Sequence, residues 1–318
     1  MALARPLTKV DQSLVNLLPT TAKPSLTLDA ALARWYSELA AEGKSPATIA
    51  AYQYATGSLV KNVGEGVILA DISPEHITGL IAEARAAGKS PSTVSALFRP
   101  LRTFFLWATR AGLVAISPVT MKPPKVPVGV VPDITAEQWA AVLATTTSHS
   151  RWAFRARRDR AILLILWTTG ARLSEVAGLK LSDIDLQAGT FVVHGKGGKD
   201  RTLPLLPDAL EALQTYLTLE RPRSAFSSVS DAVWLTGKSE LRGNGIAQMV
   251  RSRGAQAGVE GLHPHRFRHA FVGRCLAAGM SDSLVMALTG HSTHVMLARY
   301  GAATRAVTAM DALRALAG

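Results

Sequence analysis

Cys275 is the only cysteine among the 318 residues of this chain. No intrachain disulfide framework is possible, which implies a reducing compartment. Cys275 stands in the apolar stretch Phe271-Val272-Gly273-Arg274-Cys275-Leu276, which predicts a buried structural thiol rather than a nucleophile. Long apolar runs are also missing. Ala161-Ile162-Leu163-Leu164-Ile165-Leu166-Trp167 is the longest near a helix, far short of the roughly 20 residues a membrane span needs. The opening Met1-Ala2-Leu3-Ala4-Arg5-Pro6 lacks an apolar signal region, so a cytoplasmic protein with no membrane contact is expected. Acidic residues are scarce: 23 Asp and Glu against 35 Lys and Arg leave a net charge of +12 and a pI near 10.2. That excess favours an anionic partner, most simply nucleic acid, over a merely soluble basic protein. What the chain does have, 48% hydrophobic and 18% charged residues, suits a real core and excludes a disordered polymer. Its length suggests about two domains.

Ser45-Pro46, Ser73-Pro74 and Ser90-Pro91 each place an N-cap serine before a proline at the first helical position. They predict helices over about Pro46–Val60, Pro74–Ala87 and Pro91–Arg110, after an earlier one over about Leu28–Glu42. Residues 26–116 thus read as a small helical domain behind a flexible arm, residues 1–25. Pro118, Pro123, Pro124, Pro127 and Pro132 mark an extended linker over residues 117–133. A second domain, residues 134–305, opens with the capping box Thr135-x-x-Gln138. Arginines 151, 155, 157, 158 and 160 follow, read either as a solvated face or as a phosphate-facing one. Phe191–Val193 and Arg201–Leu205 read as two strands joined by a glycine-rich tip. Further helices are expected over about Asp208–Glu220, Asn244–Gln256, His265–Ala278 and Ser281–Leu288. The fold class is mainly α with a small β-hairpin in the second of two domains. In the tail, residues 306–318, Met310, Leu313 and Leu316 form a short apolar stripe, which packs on its own domain or docks on a neighbouring protomer.

Four clusters carry candidate chemistry. In Thr169-Gly170-Ala171-Arg172-Leu173-Ser174-Glu175, a new helix should begin near Ala171, and Arg172 and Glu175 then share a face. Taken alone they read as a surface ion pair. Lys196 sits at the hairpin tip in Gly195-Lys196-Gly197-Gly198, which lacks the frame of a phosphate-binding P-loop and alone reads as a turn lysine. In His265-Arg266-Phe267-Arg268-His269, residues 265, 268 and 269 share one helix face. A metal site is not expected there: Arg266 and Arg268 would repel a cation, and no nearby carboxylate or cysteine completes a shell. His291 and Tyr300 are nine residues apart. On one continuous helix they would face opposite sides, so a shared site needs a break in direction, for which Gly290 and Ser292-Thr293 offer a place.

Taken together and in this order, Arg172, Lys196, His265, Arg268, His291 and Tyr300 resemble the active-site set of the tyrosine recombinase (phage integrase) family, in a Xer-like arrangement. The likeness spans about residues 26–305 and includes the helical first domain, which is similar to that family's core-binding domain. It implies that Tyr300 attacks a phosphodiester of duplex DNA, that Arg172, Arg268 and His291 bind the phosphate, and that Lys196 protonates the leaving oxygen. His265 would assist proton removal, with Glu175 and His269 as supporting residues. It also implies two domains clamped around DNA at a specific site, a homotetramer in the synaptic complex, and no cofactor, ATP or metal. The alternatives are a type IB topoisomerase-like activity or a silent DNA-binding factor on the same fold. Candidate DNA-contacting cations are Lys44, Lys89, Arg102, Arg155, Arg157, Arg158, Lys199 and Arg251. Phage integration, transposition and dimer resolution are all open. His263 stands before Pro264 where that family often has a hydroxyl cap.

Overall fold

The Ser–Pro pairs start helices as expected. The computed structural model describes residues 26–127, 132–147, 153–195 and 198–291, and the chain divides into two units, Met1–Gly129 and Val130–Gly318. The first unit holds α1 (Leu28–Ala41), α2 (Pro46–Val63), α3 (Pro74–Ala86) and α4 (Pro91–Arg110). Ser45 Oγ accepts from the Thr48 backbone N–H at 3.3 Å and Ser90 Oγ from that of Thr93 at 3.2 Å, satisfying donors that a helix start leaves open. At Ser73 the backbone N–H itself donates to His76 Nδ1 at 3.0 Å. α2 runs past Val60 and stops before Gly64, at φ 94°, a conformation glycine adopts without a Cβ clash. The core gathers Trp35, Leu59, Ile77, Phe98, Phe104 and Phe105, with Trp35 stacked on Tyr52 at 5.2 Å between ring centres.

The second unit is built around a helix that has no polar face in its C-terminal half. It opens with α5 (Ala136–Ala144), whose Thr135–Gln138 box closes in both directions at 3.2 and 3.3 Å. α6 (Ala153–Thr169) follows, and Ala161 through Trp167 are all buried. The apolar run is therefore a central core helix, packed by α8 (Pro207–Thr215) and α10 (Pro264–Ala277). α7 (Leu173–Ala177), α9 (Gly243–Gln256) and α11 (Asp282–Thr289) complete the helices. Between α7 and α8 lies an antiparallel sheet ordered β1 (Ile184–Asp185), β2 (Thr190–Val193), β3 (Arg201–Pro204), with Thr190 opposite Pro204 and Val193 opposite Arg201. The two-residue β1 carries too little alternation to be read from sequence.

The helix expected over 208–220 is shorter. It ends at Thr215 and continues as a wider π-type turn, Tyr216–Glu220. That turn buries Glu220, which accepts from Arg157 at 2.5 Å and from Arg223 at 3.1 Å. It also seats Tyr216 Oη between the Val233 carbonyl at 3.1 Å and the Leu235 amide at 3.0 Å. Cys275 is buried, and burial raises its thiol pKa, in keeping with a packing role. Among the described residues no helix is long and apolar enough to cross a membrane.

Candidate active site

Gly170 ends α6 at φ +59°, and a Cβ there would lie 2.5 Å from Phe271 Cδ1, so this turn requires glycine. The chain then enters α7 with Arg172, not Ala171, in the capping position. The Glu175 carboxylate reaches back to accept from the Arg172 backbone N–H at 2.7 Å and from Arg172 Nη1 at 2.8 Å. This is not the surface ion pair that the spacing alone suggests, because the Glu175 side chain is only 3% exposed. A third partner accounts for the burial. Arg201, at the start of β3, forks onto both Glu175 oxygens at 2.9 and 2.8 Å and donates through Nε to the Leu288 carbonyl at 2.8 Å. Arg172 Nη2 donates to the Gly290 carbonyl at 2.7 Å. Arg201 is a site residue that sequence reasoning missed. Its signal was the alternation of β3, which turns Arg201 and Leu203 to one face.

Burial works to raise the Glu175 pKa. The hydrogen bonds from Arg201 and from the backbone and side chain of Arg172 overcome it and bring the pKa down to about 2. A depressed carboxylate contributes stability that is present above its unfolded pKa of 4.5 and lost as pH falls toward about 2. Glu175→Gln is expected to lose about 3 kcal/mol at pH 7 and to flatten the acid limb of a pH–stability curve between pH 5 and 2. Denaturant melts at several pH values check this; an unchanged acid limb would contradict it.

α10 begins at Pro264 behind His263, whose side chain does not cap the helix but bonds through Nδ1 to the Gly261 carbonyl at 2.8 Å. His265 and Arg268 share a face, as their spacing predicts. Arg268 is buried and donates to the Gly170 carbonyl at 2.9 Å, to the Thr289 carbonyl at 2.7 Å and to His291 Nε2 at 3.0 Å. Arg266 does not join it. It points away, to the carbonyls of Pro132, Asp133 and Glu260. His269 packs edge-on to His265, ring centres 4.8 Å apart.

The stretch between His291 and Tyr300, where a break in direction is expected, lies outside the described residues; just before it, α11 ends at Thr289 and Gly290 is left-handed at φ 66°. Thr289 Oγ1 sits 2.5 Å from the Val285 carbonyl and 2.7 Å from His291 Nδ1. The hydroxyl has one hydrogen, which goes to the carbonyl, so Nδ1 carries the imidazole proton and Nε2 accepts from Arg268. Burial and then Arg268 push the His291 pKa down to about 4, which leaves the ring neutral at pH 7. Burial, followed by Arg268, also lowers His265, while burial and His265 bring His269 to about 4.

Arg172, His265, Arg268 and His291 line one cavity of about 570 Å³, joined by Arg251 of α9. The structure thus brings together four of the six predicted catalytic residues, and Arg251 of the expected DNA contacts. Lys196 and Tyr300 lie outside the described residues. Lys44, Lys89, Arg102, Arg155 and Lys199 are exposed. Arg158 corrects the expectation: it is buried, held by Asp159 at 2.8 Å and the Leu235 carbonyl at 2.9 Å, and cannot face a phosphate backbone. Arg157 is tied to the buried Glu220. Among the described residues no group of three or more His, Cys, Asp or Glu could hold a metal ion.

Residues 133–306 match the phage integrase family, and residues 32–112 match its N-terminal SAM-like domain. The tyrosine recombinase XerC of Mycobacterium sp. (strain JLS) is 32% identical over 273 residues, covering 81% of this chain and 91% of that one. The tyrosine recombinase XerA of Thermococcus kodakarensis is 31% identical over 252 residues, covering 79% and 83%. In fold, a lambda integrase dimer bound to a COC' core site aligns with TM-score 0.67 at 19% identity, covering 86% of this chain and 77% of that one. The Tn1549 transposon integrase with circular intermediate DNA aligns with TM-score 0.68 at 17% identity, covering 86% and 95%. With the arginine–histidine cavity in place, these matches make the chain a member of the phage integrase family, a tyrosine recombinase.

Proposed function

We propose that this protein cuts and rejoins duplex DNA at a specific site through a 3′-phosphotyrosine on Tyr300, using the cavity of Arg172, His265, Arg268 and His291. The observation that carries this reading is the convergence of two guanidinium and two imidazole groups from α7, α10 and the turn after α11 on one cavity. A phosphodiester in that cavity meets two planar donors suited to its non-bridging oxygens, which strengthen as the pentacoordinate transition state gathers charge. Arg172 keeps 36% of its side chain exposed while Glu175 and Gly290 hold it, so its fork is oriented yet open to a ligand.

In the proposed step the Tyr300 Oη–P bond forms and the P–O5′ bond breaks. The phenol, with a free pKa of about 10, gives its proton to His265, whose lowered pKa keeps a lone pair available at pH 7. Lys196 Nζ gives its proton to the departing O5′. His291 supports the phosphate through Arg268: its neutral ring accepts from the guanidinium at Nε2 and holds that fork in place. Glu175 and His269 orient the arginine and imidazole groups. Attack by the 5′-hydroxyl of a second DNA end reverses the step without ATP or metal.

The domain reading belongs to the same proposal: an arm over 1–25, a DNA-binding domain over 26–116, a linker over 117–133, a catalytic domain over 134–305, and a tail over 306–318 that packs on its own domain or docks on a neighbouring protomer. It is supported by the match of two family segments and by the division of the chain at Gly129. A tetramer acting on two duplexes follows by analogy with the lambda integrase tetramer bound to a Holliday junction. The compartment is the cytoplasm, where the DNA lies.

A duplex selected from a random-core library by binding, then nicked beside the scissile position, is expected to trap a covalent protein–DNA adduct. Strand exchange between two such duplexes supports recombination. Relaxation of plasmid lacking the site, without exchange, would overturn it in favour of topoisomerase-like action.

A further inference from the structure

His194 is the first residue beyond the paired part of β2 and begins the loop that carries Lys196. Its imidazole spans the neck of the hairpin. Nδ1 lies 2.9 Å from Asp200 Oδ2, just before β3, and Nε2 lies 3.2 Å from Asp183 Oδ1, in the turn ahead of β1. Asp183 is itself anchored, its other oxygen accepting from the Lys180 backbone N–H at 2.8 Å. The loop between holds Gly195, Gly197 and Gly198, and at Gly195 a Cβ would meet the Lys199 carbonyl oxygen at 2.2 Å. The His194 contacts hold its two ends together and tie them to a fixed point outside the hairpin.

We propose that His194 is a positioning residue for Lys196: by bridging Asp183 and Asp200 it restrains the loop so that the lysine, two residues on, reaches the leaving 5′-oxygen. The proposal rests on the reading of Lys196 as the proton donor. Both ring nitrogens donate together only in the imidazolium, so the full bridge exists only in that form. The hydrogen bond that the ring donates to Asp200, then that to Asp183, raises its pKa above its ordinary value, and among the described residues these two carboxylates are the charged groups that face it.

The test uses the selected duplex in two versions, one with the natural 5′-bridging oxygen and one with sulfur in its place. When sulfur bridges, the P–S bond breaks and a thiolate leaves; with a thiol pKa of about 8.5 it departs without a proton. Wild type forms adduct on both. Lys196→Ala is expected to be slow on oxygen and restored on sulfur. His194→Ala should follow it, about 10- to 100-fold slower on oxygen, the scale of a displaced catalytic group, and near wild type on sulfur. Asp200→Asn should give a weaker version of the same pattern. In wild type the oxygen-to-sulfur rate ratio should fall as pH rises through the His194 pKa, and in His194→Ala it should stay level. The ratio removes effects of Tyr300, His265 and His291, which act on both substrates. If His194→Ala is equally slow on both duplexes, or as fast as wild type on oxygen, while Lys196→Ala discriminates, the positioning role is overturned alone. If Lys196→Ala does not discriminate, the proton-donor reading falls and this proposal falls with it.

Discussion

Tyr300→Phe is expected to bind the selected duplex as wild type does and to form no covalent adduct, a loss on the order of 10⁶-fold, as when other enzymes lose their nucleophile. The substitution keeps the ring and removes the one oxygen proposed to attack. The chain has five tyrosines, and the structure removes the rival in the second unit. Tyr216 is fully buried, its hydroxyl donates to Val233, and burial raises its pKa, so it neither reaches a phosphate nor ionises readily. Tyr36, Tyr52 and Tyr54 belong to the first unit, on α1 and α2. Denaturing gels of the nicked duplex with wild type and variant provide the measurement. Adduct formed by the phenylalanine variant would place the nucleophile elsewhere and sink the assignment.

Arg268→Ala carries the second large effect, on both rate and stability. The buried guanidinium satisfies two carbonyls, Gly170 and Thr289, and the His291 imidazole. Removing it leaves buried acceptors unpaired, at about 1–3 kcal/mol each before relaxation or water entry. The thermal midpoint should drop by several degrees, and adduct formation by about 10²–10³-fold, the scale seen on removing an oxyanion donor. Arg268→Lys should recover little, because one ammonium cannot span three divergent acceptors. His291 supplies an independent readout. With Arg268 gone, its pKa should rise from about 4, since Arg268 is the second cause of its depression after burial. NMR titration of the His291 ring follows this directly. An unshifted pKa together with a wild-type adduct rate would show that Arg268 acts neither on the imidazole nor on the phosphate.

Local signals located most of the fold. The Ser–Pro starts, the Thr135 box and the glycine-rich hairpin each state their chemistry within a few residues, and the elements they mark fall within about three residues of expectation. The helix over 208–220 was misjudged because its end is set by distant partners, the carbonyl of Val233 and the amide of Leu235, which no local pattern reports. The arginine run failed the same way. Arg155, Arg157 and Arg158 look alike in sequence, yet α6 turns Arg158 inward against Asp159 and leaves Arg155 exposed. Arg172, His265, Arg268 and His291 were legible as a set, while Arg201 was not, because its partner Glu175 is 26 residues upstream.

The shared carboxylate has a consequence for anyone who diversifies this protein. One buried Glu175 serves Arg172 from its own helix turn and Arg201 from the hairpin strand, and Arg201 in turn holds the stretch that leads to His291. Three positions scattered along the chain therefore behave as one genetic locus. Single substitutions there would be strongly epistatic, and a library that randomises them separately would discard combinations that work only together.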